Sequence, residues 1–226
     1  MARGIFVTGT DTGVGKTRVA AALLRGLAAE GILALGMKPV ATGIEPGARH
    51  HADVAALIAA AGAAADLADV NPYAFVPAIA PHLAAREAGA VIELRTIAAA
   101  YARLAARAQA VVVEGAGGVF SPLSDAADML DIAARLGLPA LLVVGVRLGC
   151  LNHALLSVQA IRARGVELAG WVANRIDPGT AAADANVATL VRIVPAPLIA
   201  DLRWQADAAA AAPISRAALA ALRLVG

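Results

Sequence analysis

The chain has 226 residues and one cysteine, Cys150, which excludes an intramolecular disulfide and any zinc site built from several thiolates. Aromatic residues make up 3%, too few to offer nucleobases a stacking surface. Lysine is equally scarce: Lys16 and Lys38 are the only two, and the other basic residues are scattered arginines. No basic run tracks a phosphate backbone, so a net charge of +2 and a pI near 9.1 do not point to nucleic acid. Long apolar runs are missing too. Hydrophobic residues reach 60% and mean hydropathy is +0.71, but much of that is alanine. The run 140–144 lies between Pro139 and Gly145, and 54–65 lies between Asp53 and Asp66. Neither approaches the roughly 18–20 apolar residues of a spanning helix. No membrane partner is expected. Ile5-Phe6-Val7 passes straight into Thr8-Gly9, with no signal-peptide pattern, and the expected location is the cytoplasm.

What the chain does have is short apolar runs alternating with segments of helical period. Ile5-Phe6-Val7 reads as a strand, followed by a helix from Lys16 with Val19, Ala20, Leu23, Leu24 and Leu27 on one face and Gly31 at its end. Further strands are expected at 32–37, 111–113, 141–144 and 168–173. Helices are expected from Asp53, over 97–108, over 129–136 and from Leu151 to just before Gly165. A last helix and strand are expected within 181–202. Residues 43–51 and 71–81, the latter with three prolines, read as loops. Alternating strands and helices, with strands apolar throughout, predict an α/β fold: a single P-loop NTPase-like domain over 1–226, its parallel sheet covered by helices on both faces.

The strongest motif is Gly9-Thr10-Asp11-Thr12-Gly13-Val14-Gly15-Lys16-Thr17, placed directly after a strand and opening a helix. Backbone amides of such a loop cradle phosphate oxygens, aided by the positive helix end. Lys16 would reach the β and γ phosphates of a nucleoside triphosphate, expected to be ATP, and the Thr17 hydroxyl would ligate Mg2+. Five residues rather than four separate Gly9 from Gly15-Lys16, so Thr10 occupies the first position of the strict pattern. Ligands of open α/β sheets bind outside the carboxyl ends of the strands. Gly9, Lys38, Glu114, the segment 147–152 and Asn174 all follow strands and would share one rim. Glu114 is placed to hold Mg2+, with Gly115-Ala116-Gly117-Gly118 allowing close approach of backbone. Asp53 reads either as a helix N-cap or as a second carboxylate on the metal. Asp125, Asp128 and Asp131 read as a capped and solvated helix start, Ser121 and Ser124 as turn residues, and His153 as a structural residue at a helix start.

Taken in order along the chain, these segments resemble dethiobiotin synthetases. The similar stretches are residues 8–17, Met37-Lys38-Pro39-Val40-Ala41-Thr42-Gly43, Asn71-Pro72-Tyr73, Val113-Glu114-Gly115-Ala116-Gly117-Gly118, Val144-Gly145-Val146-Arg147-Leu148-Gly149-Cys150-Leu151-Asn152-His153 and Gly170-Trp171-Val172-Ala173-Asn174. The resemblance implies ATP-dependent closure of a cyclic urea from diaminopelargonic acid and CO2, giving dethiobiotin, ADP and phosphate. It implies Lys38 and Lys16 as catalytic residues and Thr17, Asp53 and Glu114 as the Mg2+ site. It also implies nucleotide contacts by Gly13, Val14, Gly15, Lys16, Thr17, Arg18, Asp53, Glu114, Gly115, Ala116, Gly117, Asn174 and Arg175. Substrate contacts would come from Thr12, Lys38 and Thr42, and from Leu148, Gly149, Cys150 and Asn152 across a homodimer interface. Thr42 stands where the family usually has serine, Gly13 where glutamate is common, and Leu202-Arg203-Trp204 where Pro-Trp is usual.

A competing reading from another class is a partitioning-type switch ATPase with a membrane or protein partner. It would require an amphipathic terminal helix, for which residues 213–224 carry Ile214, Leu219 and Leu222 but only Arg216 and Arg223 as basic residues. An amidating ligase of the same group would need a glutamine-hydrolysing domain, for which the chain is too short.

Overall fold

In a computed structural model, which describes residues 2–45, 47–205 and 212–226, the elements follow the alternation read from the sequence. In chain order they are β1 (Arg3–Gly9), α1 (Lys16–Ala29), β2 (Ala34–Met37), β3 (Val40–Thr42), α2 (Ala52–Ala61), α3 (Leu67–Val70), β4 (Tyr73–Phe75), α4 (Pro81–Glu87), α5 (Leu94–Ala105), β5 (Ala110–Glu114), α6 (Met129–Leu136), β6 (Ala140–Val146), α7 (Cys150–Ala163), β7 (Leu168–Arg175), α8 (Ala183–Ile193), β8 (Leu198–Leu202) and α9 (Arg216–Ala221).

Six strands form one sheet in the order β2-β5-β1-β6-β7-β8, and every pairing in it is parallel. Each core strand sends alternate residues to opposite faces, and both faces are buried. Ile5, Val7, Val112, Leu141, Val143 and Val172 pack beneath α1. Phe6, Val111, Val113, Leu142, Val144 and the fully buried Trp171 pack on the other face. Double burial is what requires the unbroken apolar strands seen in the sequence. The strand register also sets the site. Val7 pairs with Glu114 and Met37 with Val113, so Lys38, one residue beyond Met37, comes level with Glu114 at the carboxyl rim.

One expectation is corrected, and two readings left open by the sequence are narrowed. Residues 71–81 are not all loop: β4 lies parallel to β3 in a two-stranded sheet, with Val40 opposite Tyr73 and Thr42 opposite Phe75. Asp53 is not the N-cap of α2. His51 takes that position, its ring nitrogen accepting from the Asp53 backbone N–H at 3.1 Å, and this leaves the Asp53 carboxylate free for other partners. The C-terminal segment is part of the core and not a detached amphipathic helix. Ile214, Leu219, Leu222 and Leu224 are buried in the cluster that includes α1, and the Ile214 N–H donates to the Ala22 carbonyl at 3.0 Å. Gly26 of α1 permits this contact, because a Cβ there would lie 2.5 Å from the Ile214 oxygen.

The acidic helix start at α6 is a capping box: the Asp128 side chain accepts from the Leu130 N–H and Asp131 accepts from the Asp128 N–H. Both carboxylates also pair with Arg164, so this cluster belongs to the scaffold rather than to open solvent.

Candidate active site

The loop between β1 and α1 turns on two glycines with positive φ, Gly13 at 74° and Gly15 at 88°. Gly15 is the residue before the first turn of α1. Its left-handed backbone and the crowding around it exclude any side chain, since a Cβ there would collide with the Asn174 amide. Val14 is buried beneath the loop, Thr12 and Gly13 are exposed, and Lys16 is 6% exposed. Lys16 Nζ donates to the Asp11 carbonyl at 2.8 Å, which holds the ammonium over the loop. Burial, with the charge of Lys38 behind it, lowers the Lys16 pKa to about 8, although Glu114, Asp53 and Asp11 act the other way.

Lys38 is the centre of the rim. Its Nζ donates to Glu114 Oε1 at 2.5 Å, to Asp53 Oδ2 at 2.8 Å and to the Gly115 carbonyl at 3.3 Å. Thr17 Oγ1 donates to the same Glu114 oxygen at 2.8 Å. Burial disfavours the Lys38 charge, but Glu114 and Asp53 outweigh it and hold the ammonium above its ordinary range. For Asp53, burial acts upward and Lys38 more than reverses it, leaving the carboxylate below its ordinary value. The backbone around Lys38 is fixed as well. Pro39 keeps it extended, and Asn71 Nδ2 donates to the Lys38 carbonyl at 2.6 Å.

These groups line a cavity of about 670 Å3 with Thr12, Gly13, Gly15, Lys16, Thr17, Ala116 and Gly117 on one side. Thr42 at the end of β3 faces the same space. The opposite wall is Ala78, Ile79, Ala80 and Pro81, between β4 and α4. Sequence reading missed this wall. Its one local signal was Ala80-Pro81, since proline suits the first turn of a helix.

The other predicted residues lie outside the cavity. Asn174, the last residue but one of β7, is buried, with Nδ2 donating to the Val14 carbonyl at 2.8 Å and Oδ1 accepting from Arg18 at 2.7 Å. Arg175 is held by Asp201 and Asp184 at 2.7 and 2.6 Å, and these bonds raise its guanidinium above its ordinary value. Leu148 is 96% exposed, Gly149 precedes α7 with φ 92°, Cys150 is buried and Asn152 is exposed. This segment lines no part of the cavity, but Arg147 pairs with Asp11 of the phosphate loop at 2.7 Å.

A central parallel sheet, a glycine loop opening α1 and a carboxylate at the end of a neighbouring strand define a P-loop nucleotide-binding protein. A family model described as an AAA domain matches residues 3–212. Solved structures agree on the fold. The chain resembles the Aquifex aeolicus MinC:MinD cell division protein complex, with a TM-score of 0.62, 18% identity and coverage of 98% of this chain and 95% of that one. It also resembles a ParA family ATPase from Chlorobium tepidum, with a TM-score of 0.57, 13% identity and coverage of 92% and 88%. Sequence relatives are more specific. The ATP-dependent dethiobiotin synthetase BioD of Nitrosospira multiformis is 52% identical over 90% of this chain and 89% of its own length. That of Aromatoleum aromaticum is 51% identical over 87% and 88%. The chain belongs to the ATP-dependent dethiobiotin synthetase family.

Proposed function

We propose that residues 1–226 act as one ligase domain that closes the cyclic urea of dethiobiotin from diaminopelargonic acid, CO2 and ATP. The observation that carries this reading is the Lys38 ammonium, buried between Glu114 and Asp53 and facing the cavity that the phosphate loop lines. One amine of the substrate adds to CO2, losing a proton and giving a carbamate. A carbamate oxygen attacks the γ-phosphorus of ATP, the bond to the ADP oxygen breaks, and a carbamic-phosphoric anhydride forms. The second amine attacks the carbonyl carbon and releases phosphate and a proton as the ring closes. Protein groups serve this chemistry by positioning and by neutralising charge. Lys16 meets the β and γ oxygens. Lys38 meets the anionic carbamate and the oxygens of the transferring group. Thr12 and Thr42 offer hydroxyls to the carbamate and substrate, and the 78–81 wall lies against the alkyl chain.

Mg2+ fits this rim. Asp53 and Glu114 accept from the Lys38 ammonium, Thr17 Oγ1 donates to Glu114, and Glu114 Oε2 is buried with no hydrogen-bond partner among the described residues. Hard oxygen donors of this kind suit Mg2+, which binds through one or two carboxylates plus phosphates and water. When bound, Mg2+ would neutralise charge on the triphosphate.

Exposed Phe120 and Leu156 line a second, mostly apolar cavity of about 730 Å3, and exposed Leu148 lies just before the start of α7. We read them as the face that a second copy covers, making a homodimer in which Leu148, Gly149, Cys150 and Asn152 hold the substrate's carboxylate tail. Incubation with 13C-bicarbonate, ATP, Mg2+ and the diamine tests the reaction. The account expects one labelled carbon in a product of dethiobiotin mass, and an unlabelled product or none counts against it.

A further inference from the structure

α1 carries a second inward-facing cation besides Lys16. Arg18 is 8% exposed, and among the described residues its guanidinium is held by neutral oxygens. One Nη donates to Asn174 Oδ1 at 2.7 Å, and the other donates to the Arg203 carbonyl at 2.8 Å and to Gln205 Oε1 at 3.0 Å. Its Nε is buried with no acceptor among the described residues. A buried cation satisfied this way is costly to keep, and an aliphatic residue would fill the space with less penalty. Those contacts by themselves give the fold no reason to keep Arg18.

Its geometry gives one. A side-chain amide has two N–H donors and one oxygen with two lone pairs, and nothing in its shape decides which end points where. Here chemistry decides. A guanidinium can only donate, so it must face Oδ1 of Asn174. The Val14 carbonyl can only accept, so it must face Nδ2, at 2.8 Å. A flipped amide would set donor against donor and acceptor against acceptor. Among the described residues, Asn174 is left with one N–H and one lone pair to offer a ligand. That donor-acceptor pair matches the N7 and N6 edge of adenine, the edge that asparagine reads bidentately, and mismatches guanine, whose N7 and O6 both accept.

We propose that Arg18 is a positioning residue for base selection: by fixing the Asn174 amide and tethering the chain after β8 (residues 203–205), it makes the nucleotide site choose adenine over guanine. This rests on the nucleotide-site reading above.

The test compares kcat and KM for ATP and GTP, with Mg2+ and the diamine saturating, in wild type, Arg18→Met, Arg18→Lys and Asn174→Ala, with thermal midpoints in parallel. Wild type is expected to favour ATP in kcat/KM by at least about tenfold. Arg18→Met is expected to erase most of that preference, acting on KM for ATP more than on kcat, and Arg18→Lys, which keeps a donor, to recover part of it. If Arg18→Met does not fold, the intermediate selectivity of Arg18→Lys carries the test. Equal use of ATP and GTP by wild type, or an unchanged ratio in a folded Arg18 variant, overturns the proposal. If Asn174→Ala raises KM for ATP while the Arg18 variants keep the ratio, only the Arg18 role fails. If Asn174→Ala leaves KM for ATP unchanged, the base does not reach Asn174 and the nucleotide-site reading fails at that end.

Discussion

Lys38 and Glu114 are level neighbours at the ends of β2 and β5, and the Lys38 ammonium donates to Glu114 Oε1 at 2.5 Å. Glu114 is fully buried, so the charge of Lys38 is its nearest compensation. Removing one member of a buried ion pair costs about 3–5 kcal/mol, because the other is left unpaired in low dielectric. Lys38→Ala is therefore expected to lower the thermal midpoint of the metal-free protein and to regain part of that loss when Mg2+ is added. Turnover should fall by at least about 100-fold, as on losing one preorganised charge at a transition state, while nucleotide affinity changes little. Calorimetric unfolding, nucleotide titration and steady-state rates check the three parts. Full activity would remove Lys38 from the mechanism.

The lowered Lys16 pKa gives nucleotide binding a direction with pH. Near a value of about 8 the ammonium is largely charged below that pH and increasingly neutral above it. Phosphate oxygens favour the charged form, so ATP binding should take up protons at pH 8 and weaken above it, approaching tenfold per pH unit. Calorimetry in buffers of different ionisation enthalpy measures the uptake; none at pH 8 contradicts the shift. For folding the sign is opposite to that of a stabilising ion pair. Between about 8 and the ordinary 10.5 the unfolded chain binds more protons at this group. Its penalty on the fold is therefore full below pH 8 and fades as pH rises through that window.

Gly13 and Gly15 both have positive φ, but only Gly15 has a neighbour in the way. Alanine at either site carries backbone strain of about 1–3 kcal/mol. At Gly15 it must also displace the Asn174 amide. Gly15→Ala should therefore weaken ATP binding at least about tenfold more than Gly13→Ala, a difference of about 1.4 kcal/mol readable by titration of the two variants. Equal effects would mean that the contact with Asn174 is unimportant.

Leu219 of α9 is fully buried against the α1 side of the sheet. Leu219→Ala should cost about 2–5 kcal/mol in denaturant unfolding, with KM for ATP unchanged. A neutral effect on stability would reopen the reading of this tail as a detachable amphipathic segment.

Much of this was legible before the structure. The phosphate loop, the alternation of strands and helices and the rim residues all came from patterns longer than a few residues. β3 and β4 did not, because strands of three residues carry no usable period and Pro39, Pro72 and Pro77 mark the region as loop. The cap of α2, left open at Asp53, falls to His51, which sequence reading did not consider because histidine is not among the usual N-cap residues. α9 is six residues of mostly alanine, and its burial is set by contact with α1 far away in sequence. At the site, the residue types pointed to phosphate chemistry. Register alone sets Lys38 against Glu114, and no local pattern predicts the 78–81 wall.

The most direct test of the account couples two products. Phosphate released from ATP, with Mg2+ and bicarbonate, is measured with and without diaminopelargonic acid, and the organic product is quantified by mass. The account predicts strong stimulation by the diamine, with one dethiobiotin formed per phosphate. Nucleotide binding without diamine-dependent phosphate release would contradict it, leaving the phosphate loop in place but the ring-closing chemistry without support.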